Sequence, residues 1–374
     1  MSLHDPGKNY DVILIDTSIF DGNGLRLETG LLGKLRQFKK TTIDILLPDV
    51  IKNEIQSHLE KKIKGSRSSL KKSINDAGDH LFFDGSALNE AKKLLIDSDE
   101  IEKLAQSRLD NFVNDTGALE IECNDYVSVG EVLGQYFSNK PPFSETGKKK
   151  NEFPDAIVLL AAEEWAKQEE KSILAIAKDK DWKSYCENSP NIDYEEDFTA
   201  GLASFNEATA PFAFVESLTK LLEEDSAQSF ITQVENGLES ALDGFTPDQD
   251  AESQFYWEPD GSHGWFESFS FIDDTFRIIE ADQEYLVLEA SAEITVGAEG
   301  EFSLAVHDSI DKDYVGLGST SVSTETTFES AILITISGEL TEHIDDIEIE
   351  EVEVVDPIRT IHFGTLDLDY GEYD

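Results

Sequence analysis

Cysteine, basic charge and long apolar runs are all scarce in this chain, and each scarcity removes a class of protein. Of 374 residues only Cys123 and Cys186 are cysteines, so neither a disulfide framework nor a CxxC metal knuckle is available. The seven histidines include no HxxxH or HxH pair, which argues against a zinc hydrolase. No GxxxxGK(S/T) phosphate loop and no GxSxG elbow occurs. No uncharged apolar run approaches the ~20 residues that a membrane helix needs. The first ten residues carry His4, Asp5 and Lys8 where a signal peptide would have an apolar block. A cytoplasmic, soluble protein with no membrane partner is expected, and 39% hydrophobic residues suffice for a packed core.

The shortage of bases gives a net charge of −48, which on its face argues against a nucleic-acid partner. The distribution alters that reading. Residues 201–374 hold 41 acids against four bases, Lys220, Arg277, Lys312 and Arg359. Their net charge of −37 leaves only −11 for the first 200 residues. General acidification of a surface would be even, so the asymmetry indicates domains with different tasks.

What is present along the chain also divides in two. Residues 11–15 (DVILI), 43–47 (IDILL) and 171–177 (KSILAIA) read as short buried strands, and residues 192–194 begin a further one. Between them lie helices: Pro48-Asp49 opens one, residues 55–135 are mostly charged and amphipathic, and Pro154 leads into DAIVLLAAEEWAK. Strands alternating with helices predict an α/β fold with a parallel sheet over residues 1–205. Residues 206–249 read as a helical connector. From about residue 250 the period becomes two: Leu286, Leu288, Ala290, Ala292, Ile294 and Val296 alternate with polar residues, and the alternation slips at Glu350-Glu351 as a β-bulge would make it. A separate antiparallel all-β domain, sandwich-like and acidic, is expected over residues 250–374.

In parallel sheets, ligands collect at the carboxyl ends of the strands. Asp16 ends the first strand, Asp179 follows the third, Asp155 opens a helix, and Glu54 borders the buried stripe of another. Each alone has a plain structural reading as a helix cap, a turn former or a solvated acid. Together they would repel one another unless a divalent cation joined them, and carboxylate oxygens suit Mg²⁺ or Mn²⁺. Such an ion activates water for phosphodiester cleavage. Rival readings fit less well: a haloacid-dehalogenase phosphatase wants DxDx(T/V), and an adhesion-type metal site wants DxSxS, whereas the segment here is Asp16-Thr17-Ser18-Ile19-Phe20.

The ordered set resembles the PIN-domain nucleases. It comprises IDTSIF (Asp16, Thr17, Ser18), PDVIKNEI (Glu54), FPDAIVLLAA (Asp155) and AIAKDKDW (Asp179, Asp181, Trp182), and covers about residues 9–205. The resemblance implies Mg²⁺- or Mn²⁺-dependent cleavage of RNA, most often single-stranded, with Asp16, Glu54, Asp155 and Asp179 as catalytic metal ligands. Asp181 is the alternative fourth ligand, and Ser18 would support the metal–water network. Two departures stand out: 100 positions separate Glu54 from Asp155, and Ala177 replaces the usual Thr or Ser two positions before the last acid. Substrate grip is assigned to Lys148, Lys149 and Lys150, in a Pro/Gly-rich loop before Asp155, with KKIKGSRSSLKK (61–72) as a second basic cluster. The competing reading is a non-catalytic interaction protein with a PIN-like fold. In it the acidic β-region contacts a protein partner. A toxin, a defence nuclease and an RNA-processing factor all fit the nuclease reading.

Overall fold

Three apolar runs and two short edge segments build a five-stranded sheet in the computed structural model, which describes residues 10–80, 85–96, 100–143, 152–206, 212–224, 226–273, 275–281, 285–308, 313–338 and 347–367. In chain order, β1 (Val12–Ile15) is followed by α1 (Thr17–Gly22), β2 (Asp44–Pro48), α2 (Asp49–His80), α3 (Gly85–Leu95), α4 (Ile101–Thr116) and β3 (Leu119–Ile121). Then come α5 (Val129–Phe137), α6 (Phe153–Glu169), β4 (Ile173–Ile176), α7 (Lys180–Cys186), β5 (Ile192–Glu195) and α8 (Phe198–Asn206). The strand order is β3-β2-β1-β4-β5, and every pairing is parallel. All four residues of β1 and of β4 are buried, as unbroken apolar runs require when helices cover both faces of a sheet. The chain winds outward from β1 to β3, then crosses to β4 and β5 on the other side. The carboxyl ends of β1 and β4 thus meet where the winding reverses.

Local signals explain the helix ends. Pro48 closes β2 and Asp49 starts α2 with an acid in its first turn. Ile51, Ile55, Leu59 and Ile63 recur every fourth residue and form the buried stripe of α2, whereas the later part of the helix is mostly exposed. Gly117 supplies the left-handed residue (φ 69°) that ends α4. Ser128 and Glu131 form a capping box on α5. β3 breaks the helical reading of residues 55–135. It is three residues long with two exposed, so it carries no period-two signal of its own.

Tertiary contacts divide the chain into two compact units, Met1–Phe205 and Asn206–Asp374. The second contains α9 (Phe212–Glu223), α10 (Gln228–Leu242), β6 (Asp248–Glu252), β7 (Tyr256–Phe271), β8 (Arg277–Ala281), β9 (Tyr285–Asp308), β10 (Asp313–Gly338), β11 (Ile347–Val354) and β12 (Thr360–Thr365). Strands β11-β10-β9-β7 form an antiparallel sheet, with β8 also on β9; β12 and β6 pair separately and in parallel. The alternation from Leu286 to Val296 puts its apolar members in the core. The slip at Glu350-Glu351 is a bulge: Thr335 pairs with Glu351 and Ile336 with Ile349, leaving Glu350 as the extra residue.

Residues 206–249 are not a free-standing connector. Phe214 and Leu218 of α9, and Phe230, Val234, Leu238 and Leu242 of α10, join one core with Leu286, Ile294, Ile332 and Val352. The apolar face of the sheet is covered by these helices together with the β6–β12 pair, whose Ala251, Ile361 and Phe363 join the same core. A helix stripe at spacing four fills that face as well as a sheet would, and α10 comes close enough that a Cβ on Gly237 would meet Val352 Cγ2 at 2.4 Å.

Candidate active site

Two loops at the carboxyl edge of the first sheet place most of the acids. β1 ends at Ile15, and the sheet bonding runs one residue further, with Asp16 N–H donating to Ile176 O at 3.0 Å. Asp16 then caps α1: its Oδ2 accepts from Ser18 N–H (3.1 Å) and from the Ser18 hydroxyl. Lys178 N–H donates to Ser18 Oγ at 3.3 Å, so Ser18 ties the end of β1 to the loop leaving β4. In that loop Asp179 caps α7 by accepting from Asp181 N–H at 2.7 Å. The capping role weighed against a site role in the sequence is therefore real at Asp16 and Asp179, and it aims both acids at the same edge.

Two helices bring the others. The Thr17 hydroxyl donates to Glu54 Oε2 at 2.8 Å, linking α1 to α2. The buried Trp182 indole donates Nε1–H to Asp155 Oδ1 at 2.9 Å, linking α7 to the first turn of α6. Asp16 is buried, at 7% exposure, Glu54 and Asp155 are half-buried, and Asp179 is exposed.

Their electrostatics reveal the convergence. Burial raises the Asp155 pKa to about 7, against the relief of the Trp182 bond, and the charges of Asp16, Asp179 and Glu54 push it further up. Burial raises Asp16 too, opposed by its bonds to Ser18 and assisted by the charge of Asp179. Asp181 is raised by burial and then by the charges of Asp179 and Glu152. Asp155 thus feels the other three acids singled out in the sequence, and Asp16 feels Asp179. Among the described residues, no three His, Cys, Asp or Glu side chains stand close enough to grip one ion as they lie. Asp16, Glu54 and Asp155 are each bonded to a separate donor, Ser18, Thr17 and Trp182 respectively. The set nevertheless fits a hard divalent cation. Its donors are all oxygen, and the mutual charge that adds to the effect of burial on Asp155 and Asp16 is what a cation would neutralise.

Lys148, Lys149 and Lys150 lie outside the described residues. Lys61, Lys62, Lys64, Lys71 and Lys72 are exposed along α2. Sequence reasoning did not single out Glu152, which is buried at 7% beside the Asp155 turn and adds its charge to Asp181. Its only signal was proximity to Asp155 in FPDA. The bond partners of Glu54 and Asp155 were equally hidden, since nothing in the sequence pairs Thr17 with Glu54 or Trp182 with Asp155. Cys123 and Cys186 are free and buried, and burial raises both thiols, Cys123 to about 12. Neither has the thiolate character of a nucleophile.

A parallel α/β sheet with four interacting carboxylates at its switch point defines a nuclease-like architecture. Residues 13–182 match the family model described as the PIN domain. That match lies within the first unit of the chain. The comparisons with curated proteins and with solved structures find no match. Among the described residues, no helix is long and apolar enough to cross a membrane.

Proposed function

We propose that residues 1–205 form a Mg²⁺- or Mn²⁺-dependent endoribonuclease that cuts single-stranded RNA, with residues 206–374 as a separate acidic domain. The observation that carries this reading is the raised pKa of Asp155, traced to burial and to the three acids Asp16, Glu54 and Asp179. Four carboxylates from two strand ends and two helices converge only at a cost, and a divalent cation removes it. Asp16, Glu54, Asp155 and Asp179 would hold the ion, with Asp181 in reserve beside Asp179. Bound there, the ion would activate water and neutralise charge on the scissile phosphate.

The chain's own contributions are positional. Ser18 fixes the Asp16 carboxylate with two bonds to one oxygen, Oδ2. Thr17 holds Glu54 and Trp182 holds Asp155, so each acid is oriented by a neutral donor rather than neutralised by a base. That arrangement keeps the negative charge available for a cation.

The competing reading, a non-catalytic interaction protein, draws on the same hydrogen bonds, because each carboxylate already has a partner. One experiment separates the two. Purified protein with Mg²⁺ or Mn²⁺ is expected to cut single-stranded RNA, and EDTA to stop it. Asp16→Asn, which keeps the shape and removes the charge, is expected to lower the rate by roughly 10²-fold or more. No cleavage of RNA or DNA with either metal, or equal cleavage by the variant, would leave the non-catalytic reading standing.

A further inference from the structure

The α1–α2 contact continues beyond the acids. Thr17 bonds Glu54 and, one turn along both helices, Asp21 Oδ1 meets His58 Nδ1 at 3.0 Å. A further turn of α2 opens onto a cavity of about 360 Å³ lined by Asp21, Gly24, Leu25, His58, Lys61 and Lys62. Among the described residues, neither Lys61 nor Lys62 has a hydrogen-bond or ion-pair partner, although the chain carries 78 acids. Asp21 is the one acid lining the cavity, and it is engaged by His58. Two more cations flank this side: Lys178 Nζ lies 3.5 Å from where a Cβ on Gly22 would stand, and the Arg26 side chain packs beside Gly24.

We propose that this cavity is a phosphate subsite for a nucleic-acid strand, gripped by Lys61 and Lys62 with His58 held in place by Asp21. The inference rests on the nuclease reading for its direction. At 1.5 Å per residue, the lysines lie about 11 Å along α2 from Glu54, so the phosphate they hold is not the one attacked. The subsite instead keeps the strand running from the acidic edge along α1 and α2. An ion-pair grip of this kind recognises the phosphodiester backbone and no particular base.

The test is binding, measured apart from cleavage. Fluorescence anisotropy with labelled single-stranded RNA and DNA of one sequence, in EDTA and again in Ca²⁺, reads affinity for the full chain and for Lys61→Ala/Lys62→Ala. The double variant is expected to bind about tenfold more weakly. Its log–log salt slope should flatten by roughly 0.7, because one phosphate of the strand is no longer neutralised. Lys61→Arg/Lys62→Arg should retain both affinity and slope, and Mn²⁺ binding should be unchanged in either variant. Wild-type affinity and slope in the alanine variant would overturn the subsite, as would failure of the wild type to bind either strand. Binding that depends on these lysines in a protein that cuts nothing would sink the nuclease reading and leave the subsite standing. Cleavage by a wild type whose binding ignores the lysines would do the reverse.

Discussion

Asp155 receives one hydrogen bond and faces three like charges, and its raised pKa has a consequence for stability. An acid whose folded pKa exceeds its unfolded value favours the native state fully below the unfolded value, near 3.8. That contribution is lost as pH rises towards the folded value of about 7. Metal-free protein should therefore gain from Asp155→Asn more at pH 8 than at pH 5. A full shift would be worth about 1.4 kcal/mol per pKa unit, and solvent screening of a half-buried carboxyl reduces the total to about 2 kcal/mol or less. Thermal melts in EDTA should show the variant's advantage, a few degrees, at pH 8 and roughly a third of it at pH 5. Asn retains an acceptor for Trp182, so loss of that bond does not confound the comparison. Equal differences at both pH values would mean that Asp155 is not destabilised by its neighbours.

Among the elements, α10 tests how closely a helix can approach a strand. Gly237 sits mid-helix, where Ala would gain about 1 kcal/mol of helix propensity. Its missing Cβ, however, leaves room for the buried Val352 of β11, whose Cγ2 and Cβ would stand 2.4 and 2.9 Å from an added carbon. Overpacking of this kind costs about 1–3 kcal/mol. Gly237→Ala is expected to lower the denaturation midpoint of the second unit despite the propensity gain. A stabilised variant would show that α10 can move off β11 at little cost.

For the whole molecule, the division after Phe205 separates a unit of net charge −11 over the first 200 residues from a region of −37. Because α9 and α10 share their core with the sheet, the second unit should be stable as residues 206–374 and not as residues 250–374. Removing the helices would uncover Leu286, Leu288, Ile332 and Ile334. Limited proteolysis should release a resistant acidic fragment that still contains Gln228–Leu242, and a chain begun at residue 250 should aggregate or melt without cooperativity. Early cleavage scattered through residues 285–365 would contradict this organisation.

The sequence by itself determined the features that repeat locally. Period-two alternation marked the long strands, the slip at Glu350 marked the bulge, and apolar runs ending in Asp marked the edge of the parallel sheet. These are legible because burial imposes a pattern on consecutive residues. The four acids were legible for a related reason: each follows a strand, opens a helix or borders a helix stripe, where topology restricts its direction. Only the tertiary structure decided which neutral donor orients each acid, that Glu152 is buried beside them, and that His58, Lys61 and Lys62 share a cavity with Asp21. It also decided that helices and the β6–β12 pair cover the second sheet. Such contacts join residues tens of positions apart, 37 from Thr17 to Glu54 and 27 from Asp155 to Trp182, and arise from how elements pack. No local period records a partner that only packing brings near.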